Sequence, residues 1–220
     1  MSRRRVVLTV GLVGLLLTSG CIGFLTGSEA LEFSSEPAVV TDSAQQETNY
    51  EQVRREPQTV TRNFTAADQT RQVEVTNHVA EYSRSVDLPV FGDQQVARFT
   101  VLSTPKVTIA GQGPFNPVDD LNNTELVLTL QEKYDGISNV QPESERSLTV
   151  LGNETTVSKF RADATMDTGE SVEVFIHITK VEHGDDFVVA VGVYPTQVDG
   201  EQENIDTLLQ NVDHPAESSE

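Results

Sequence analysis

FVVAVGVY (residues 187–194) is an eight-residue run of apolar residues and glycine that ends at Pro195. A strand that is apolar on both faces belongs in the middle of a sheet whose two sides are both covered. The run therefore predicts a central strand, with further strands on either side of it.

The segments around this run supply those strands. Residues 146–151, 154–164 and 170–182 precede it at the short spacing typical of hairpins, and Gly184-Asp185 makes the last turn. Earlier in the chain, residues 73–79 and 96–102 alternate apolar with polar residues on either side of a turn at 87–93, and 106–110 continues as a strand. These patterns predict a mostly antiparallel sheet.

Three segments have helical patterns. Residues 199–212 place Ile205, Leu208, Leu209 and Val212 on one face, and Asp199 with Gln202 resembles a capping box. Residues 41–56 read as a helix that Thr41 or Asp42 caps and Pro57 ends. Residues 119–134 suit a helix or a strand, and we favour the helix because two aspartates stand at its start.

The order of these elements predicts an α+β fold, with a mostly antiparallel sheet packed against a few helices on one side or both. We expect one domain over residues 31–213, which is long enough to bury a core. Residues 214–220 are polar, and we expect a disordered tail there.

The first twenty residues have the organisation of an export signal. Three arginines precede an apolar run from Val6 to Leu17, which is shorter than the roughly twenty residues of a membrane-spanning helix. The arginines resemble a twin-arginine signal. LTSGC (residues 17–21) resembles a lipobox, with Thr18 where leucine is usual, so Cys21 becomes a lipidated N-terminus and residues 21–30 a tether. The alternative is an uncleaved anchor with a free thiol.

The charge balance indicates a surface adapted to concentrated salt. The chain has 34 acidic and 15 basic residues, and three of the basic ones lie in the predicted signal. Because the acids are interspersed with alternating strands, a folded acidic surface fits better than disorder. We therefore expect a halophilic archaeal source. No basic patch is visible, so nucleic acid is not an expected partner.

The search for chemistry in the sequence yields only weak candidates. His177 and His183 share strand parity and stand near carboxylates, so they are candidate zinc ligands, although residues such as Gly184-Asp185 are also what a turn requires. His78 and His214 stand alone. We predict no catalytic residue, no resident metal and no cofactor.

Three sequons mark candidate glycosylation sites at Asn63, Asn122 and Asn153. Asn153 is the most exposed candidate, since we place it in a hairpin turn with Gly152. Chance is the alternative for each site, because the chain is rich in Asn and Thr.

Several stretches resemble a family of haloarchaeal lipoproteins of unknown function. They are the lipobox-like start, LEFSSEPAVV (31–40), TDSAQQETNYEQVRRE (41–56), ISNVQ (137–141), FVVAVGVYP (187–195) and ENIDTLLQNV (203–212). Residues 146–212 are also faintly similar to PsbP-like domains. That similarity implies an α/β/α sandwich and a non-catalytic accessory role.

These observations favour an extracytoplasmic protein that a lipid on Cys21 holds to the membrane. It would be a non-enzymatic accessory or binding module for an unknown extracellular protein or small ligand. One alternative is a solute carrier whose apolar pocket, between sheet and helices, includes Phe175, Phe187 and Tyr194. Another is a metal hydrolase centred on His177 and His183.

Overall fold

The computed structural model describes residues 30–66, 69–88, 92–107, 116, 118–133, 136–166 and 169–216. It has the predicted α+β architecture. The internal contacts divide the chain into two units. One unit holds Val60–Val75 with the residues up to Phe33, and the other holds Ser34–Thr59 with the chain from Thr76 onward. The core and the site described below belong to the second unit.

The described part of the chain forms ten strands and three helices. The strands are β1 (Leu31–Ser34), β2 (Val39–Val40), β3 (Glu51–Ala66), β4 (Gln69–Leu88), β5 (Gly92–Pro105), β6 (Ile137–Val150), β7 (Asn153–Thr165), β8 (Ser171–His183), β9 (Asp186–Pro195) and β10 (Val212–Asp213). The helices are α1 (Asp42–Thr48), α2 (Asn123–Lys133) and α3 (Glu201–Gln210).

The apolar run occupies the centre of an eight-stranded sheet, as predicted. The strand order is β1-β4-β5-β9-β8-β7-β6, and β3 also pairs with β4. Strand β9 is antiparallel to β5 on one side and to β8 on the other. A separate two-stranded ladder joins β10 to β2, with Val212 opposite Val40.

Helices cover both faces of this sheet. On one face, Ile205, Leu208 and Leu209 of α3 are at most 1 % exposed and pack with Phe99 and other sheet residues. On the opposite face, Leu126 and Val127 of α2 pack against β7, β8 and β9. Full burial of one such side chain stabilises a fold by roughly 1.5–3 kcal/mol, so these small helices are held mainly by their apolar faces.

Helix α2 confirms the helical alternative for residues 119–134, although it begins only at Asn123. Asn122 and Glu125 form a reciprocal capping box, in which each side chain accepts a hydrogen bond from the other's backbone N–H at 2.9–3.0 Å. Before the helix, the Lys180 ammonium donates to three backbone carbonyls, those of Val118, Asp119 and Leu121, at 2.7–2.8 Å. These hydrogen bonds hold the segment that leads into α2 against β8.

The helix predicted over residues 41–56 is wrong beyond residue 48. Asn49 takes a left-handed conformation, with φ of 56°, and ends α1, and β3 begins at Glu51. The predicted helix-stop Pro57 lies inside that strand. The local sequence favours a helix here, but pairing with β4 holds these residues in a strand. In that strand Val53 is 52 % exposed.

Smaller differences concern the ends of elements. The capping box predicted at Asp199 is absent, because Gly200 is the N-cap of α3 with φ of 76° and no side chain caps the helix. Strand β5 ends at Pro105, so Lys106 and Val107 of the segment 106–110 are not in a strand, and 108–110 lie outside the described residues. The β4–β5 hairpin is confirmed, and its tip at 89–91 is also outside them.

Candidate functional site

A cluster of polar side chains lies where β8 turns into β9. It contains three of the four histidines of the chain, with one carboxylate and two serines. Its members are Ser35, His78, Ser103, His183, Asp186 and His214. Ser35, Ser103, Asp186 and His214 are each at most 6 % exposed. Buried polar groups of this kind persist because they satisfy one another with hydrogen bonds.

The sheet register assembles the cluster from distant segments. His78 on β4 lies opposite Ser103 on β5, and His183 at the end of β8 lies opposite Asp186 at the start of β9. His214 directly follows β10, which pairs with β2. Beyond it, the Ala216 N–H donates to the Pro37 carbonyl at 2.8 Å. His214 and Ala216 of the predicted tail are therefore buried, and 217–220 lie outside the described residues.

The Asp186 carboxylate holds the His214 ring through a hydrogen bond to its Nε2. Its Oδ2 lies 3.0 Å from His214 Nε2 and also accepts the Glu36 backbone N–H at 2.8 Å. Because a carboxylate only accepts, the His214 Nε2–H donates to it, which leaves Nδ1 for the contact with His183. That Nδ1 faces His183 Nδ1 at 2.9 Å, so the two rings share one proton between them.

The serines complete the network without forming a hydrolytic triad. Ser35 Oγ donates to the Ser103 carbonyl at 2.9 Å and lies 3.2 Å from His78 Nδ1. Ser103 Oγ lies 3.3 Å from His214 Nε2, the same nitrogen that Asp186 contacts. In a Ser-His-Asp triad the serine and the carboxylate contact opposite ring nitrogens. Ser103 is also 0 % exposed, so its hydroxyl does not face solvent.

The predicted pairing of His177 with His183 is wrong. The two residues are six positions apart on one strand, which corresponds to about 20 Å at 3.3 Å per residue. His177 lies under α3, where its ring stacks on Tyr194 and its Nε2 lies 3.0 Å from the Tyr194 hydroxyl. Burial, followed by the charges of Arg146 and Lys159, lowers the pKa of His177 to about 3. His183 instead contacts His214.

A second buried polar group, Glu201, ties α3 to the sheet. Its carboxylate is 0 % exposed, accepts the Tyr50 hydroxyl at 2.7 Å and Asn204 Nδ2 at 3.0 Å, and forms an ion pair with Arg84. Burial and the Glu201 charge raise the pKa of Tyr50. With its acceptors satisfied by donors from the chain, Glu201 serves packing.

The side chains named for a carrier pocket are packed against protein. Phe187 and Tyr194 are each 2 % exposed, and half-buried Phe175 is covered by Lys159, whose ammonium lies 3.7 Å from the ring centroid. A cavity of about 500 Å³ lies instead at the rim of α2 and β6. Its lining is Leu128, Gln131, Glu132 and Ile137.

The other predicted site residues are Cys21 and the three sequon asparagines. Cys21, the signal and the tether up to residue 29 are outside the described residues. Asn63, Asn122 and Asn153 are all exposed. Asn153 is the first residue of β7 and pairs with Val150, so the turn consists of Leu151 and Gly152, both with positive φ, and not of Gly152 and Asn153. In the part of the chain that the structure describes, no helix is long and apolar enough to cross a membrane.

Sequence reasoning found His183 but missed its partners. The sequence places His214 in a polar tail and Asp186 beside the Gly184-Asp185 turn, and the register that joins them is not a local signal. The only sequence hint is the spacing of His183 and Asp186 across a two-residue hairpin turn. Among the described residues, no group of three or more His, Cys, Asp or Glu is placed to hold a metal ion.

Comparison with known proteins gives a family without an activity. No curated protein matches the chain. Among solved structures, PA94 of Pseudomonas aeruginosa, a protein of unknown function, is similar with a TM-score of 0.30 and 8 % identity. That match covers 65 % of this chain and 88 % of the other. Residues 37–213 match the family described as "Domain of unknown function (DUF6517)". The chain therefore belongs to the DUF6517 family.

Proposed function

We propose that this chain is a non-catalytic accessory or binding module, held by a lipid on Cys21 to the extracytoplasmic face of the membrane of a halophilic archaeon. The observation that carries the proposal is the arrangement of residues 1–21. Three arginines, a short apolar run, small residues and the lone cysteine follow one another in the order of a lipoprotein signal. Lipidation also explains why an exported chain keeps a single thiol, because it caps that thiol against oxidation.

The folded domain is consistent with this role. The family match begins at residue 37, sixteen positions after Cys21, which leaves room for a tether. Both faces of the sheet are covered by the protein's own helices, so a partner would contact the rim, the loops or the exposed strand β3. The PsbP-like resemblance of residues 146–212 belongs to the same proposal, since those domains are non-catalytic accessory proteins.

The test is the intact mass of the protein extracted from the membranes of its own salt-grown host. We expect the mass of residues 21–220 plus two lipid chains, because one chain anchors a protein only marginally. A matched Cys21→Ser variant should keep residues 1–20 or leave the membrane fraction. A wild-type chain of full length, or one without lipid in the soluble fraction, contradicts the proposal.

The same spectra test glycosylation. An added glycan mass should disappear in Asn153→Gln if that exposed residue is modified, with Asn63→Gln and Asn122→Gln as comparisons. A glycan would add independent support for an extracytoplasmic location.

A further inference from the structure

The imidazole rings of His183 and His214 meet edge-on. His183 and His214 place their Nδ1 atoms 2.9 Å apart, with ring planes at 74° and ring centroids 5.2 Å apart. Neutral imidazole nitrogen is the commonest protein ligand for transition metals. A proton now occupies the position between two such nitrogens, and a metal ion would compete with it.

The carboxylate behind His214 gives this ring the orientation of a metal ligand. Metal-binding histidines usually donate their second ring N–H to a carboxylate, which fixes the tautomer and makes the free nitrogen more basic. Asp186 does this for His214 at 3.0 Å, and the Glu36 N–H holds the carboxylate in place. His214 is buried on this carboxylate side, whereas His183 is half-buried and meets solvent.

We propose that His183 and His214 form a two-histidine site for a divalent transition-metal ion of the Zn²⁺ class, with Asp186 as the positioning residue. This site would form whether or not Cys21 carries a lipid. At the usual metal–nitrogen distance of 2.0–2.1 Å, two ligands of a tetrahedral ion lie about 3.3 Å apart. The observed nitrogens would separate by a few tenths of an ångström, and each ring would tilt so that its Nδ1 points at the ion.

The surrounding charges favour a cation at this position. Asp186 contacts His214, and Glu182 and Asp185 flank His183 and the turn. The positive group of Lys106 donates to the Gly184 carbonyl at 3.1 Å and pairs with Glu182. Two protein ligands leave the remaining positions of the ion to water or to an anion. This open coordination differs from a structural zinc site, which uses four protein ligands.

The choice of metal ion distinguishes binding at this site from binding by the acidic surface. Surface carboxylates suit hard ions such as Mg²⁺ and Ca²⁺, whereas imidazoles suit Zn²⁺, Co²⁺, Ni²⁺ and Cu²⁺. A competing excess of Mg²⁺ should therefore remove binding by the surface and leave binding by the histidines.

The experiment is a titration of the full chain with Zn²⁺ and, for its visible spectrum, Co²⁺, in concentrated KCl with excess Mg²⁺. We expect one ion per chain. Asp186→Asn should weaken binding by roughly 10–100-fold, which is the usual effect of removing the carboxylate behind a metal-binding histidine. His183→Gln, at the half-exposed ligand, should weaken it at least as much.

Matched controls separate a lost ligand from a damaged fold. His78→Gln changes the third histidine of the cluster, which contacts Ser35 and not His214, so it should bind as the parent does. Circular dichroism and the unfolding midpoint must show that each variant is folded. As a readout without substitutions, the imidazole NMR signals of two histidines, and not of the other two, should shift with Zn²⁺.

Three results would overturn the site. They are no uptake by the parent chain, uptake that Mg²⁺ displaces, and uptake that His183→Gln leaves unchanged or that His78→Gln reduces equally. In each case the His183–His214 contact is a hydrogen bond of the fold alone.

Discussion

At the scale of a single residue, His177 shows what burial of a titratable group costs. Its side chain is 1 % exposed, and among the described residues its Nδ1 is a buried atom with no hydrogen-bond partner. Burial away from water disfavours the charged ring, and the nearby cations Arg146 and Lys159 disfavour it further. The folded protein therefore holds His177 neutral, with a pKa of about 3 in place of the ordinary 6.5.

This shift predicts a loss of stability in mild acid. Above pH 6.5 the ring is neutral in both states and contributes nothing to the pH dependence. Below pH 6.5 the His177 ring takes up a proton in the unfolded chain but stays neutral in the folded protein. The free energy of unfolding therefore falls by about 1.4 kcal/mol per pH unit until the pH nears the pKa of the folded state. From pH 7 to pH 5 the loss from His177 is about 2 kcal/mol.

The variant His177→Gln does not titrate, yet it keeps a polar group near the Tyr194 hydroxyl. Urea unfolding at constant KCl should show that it loses about 2 kcal/mol less than the parent between pH 7 and pH 5. Between pH 7 and pH 8 the free energies of unfolding of the two proteins should change by the same amount. Equal losses in mild acid would mean that the folded protein protonates His177 readily.

At the scale of elements, the contact of α3 with β9 depends on a missing side chain. Gly192 lies on the face of β9 that meets Ile205, and a Cβ there would stand 2.7 Å from Ile205 Cδ1. Because Ile205 is fully buried and two more of its atoms lie within 3.1 Å, it has little room to move. We expect Gly192→Ala to destabilise the fold by about 1–3 kcal/mol.

A double-mutant cycle with Ile205→Val isolates that contact. The valine removes the closest atom, so the double variant should be more stable than the sum of the single effects by about 0.5–3 kcal/mol. Gly136→Ala is the matched control, since among the described residues its Cβ would meet the Thr165 carbonyl at an ordinary 3.6 Å and nothing closer. Urea unfolding measures all four variants, and strict additivity would contradict the close approach.

The elements that the sequence could predict are those whose pattern matches their packing. The apolar run of β9 and the face of α3 made by Ile205, Leu208 and Leu209 are such elements. The strand at residues 51–56 could not be predicted, because polar residues with helix-compatible spacing lie there in an exposed strand that pairing with β4 holds in place. The histidine cluster has the same origin, since residues 78, 103, 186 and 214 meet only through sheet register and the β2–β10 ladder.

At the scale of the whole molecule, the charge balance opposes folding in dilute solution. The chain has a formal net charge of −19 at pH 7, and compaction brings those charges together. Some acids are paired, as Asp206 is with Arg146 and as Glu143 and Glu173 are with Arg161. With 34 acidic and 15 basic residues, the negative charges outnumber the positive ones by 19, so such pairs cannot neutralise the molecule.

Salt should therefore stabilise this protein mainly by screening. The Debye length falls from about 10 Å at 0.1 M to about 3 Å at 1 M, so most of the repulsion is removed within that range. If the relief is worth about 3 kcal/mol, the thermal midpoint rises by roughly 6–12 °C for a chain of this size. Thermal unfolding followed by circular dichroism in 0.1–3 M KCl measures this rise, with sucrose as a control for solute exclusion.

Screening requires that most of the rise in the thermal midpoint occur below about 1 M KCl and that sucrose not reproduce it. A steady rise up to 3 M, matched by sucrose, would instead assign the effect to solute exclusion and leave the acidic surface with no electrostatic cost at low salt.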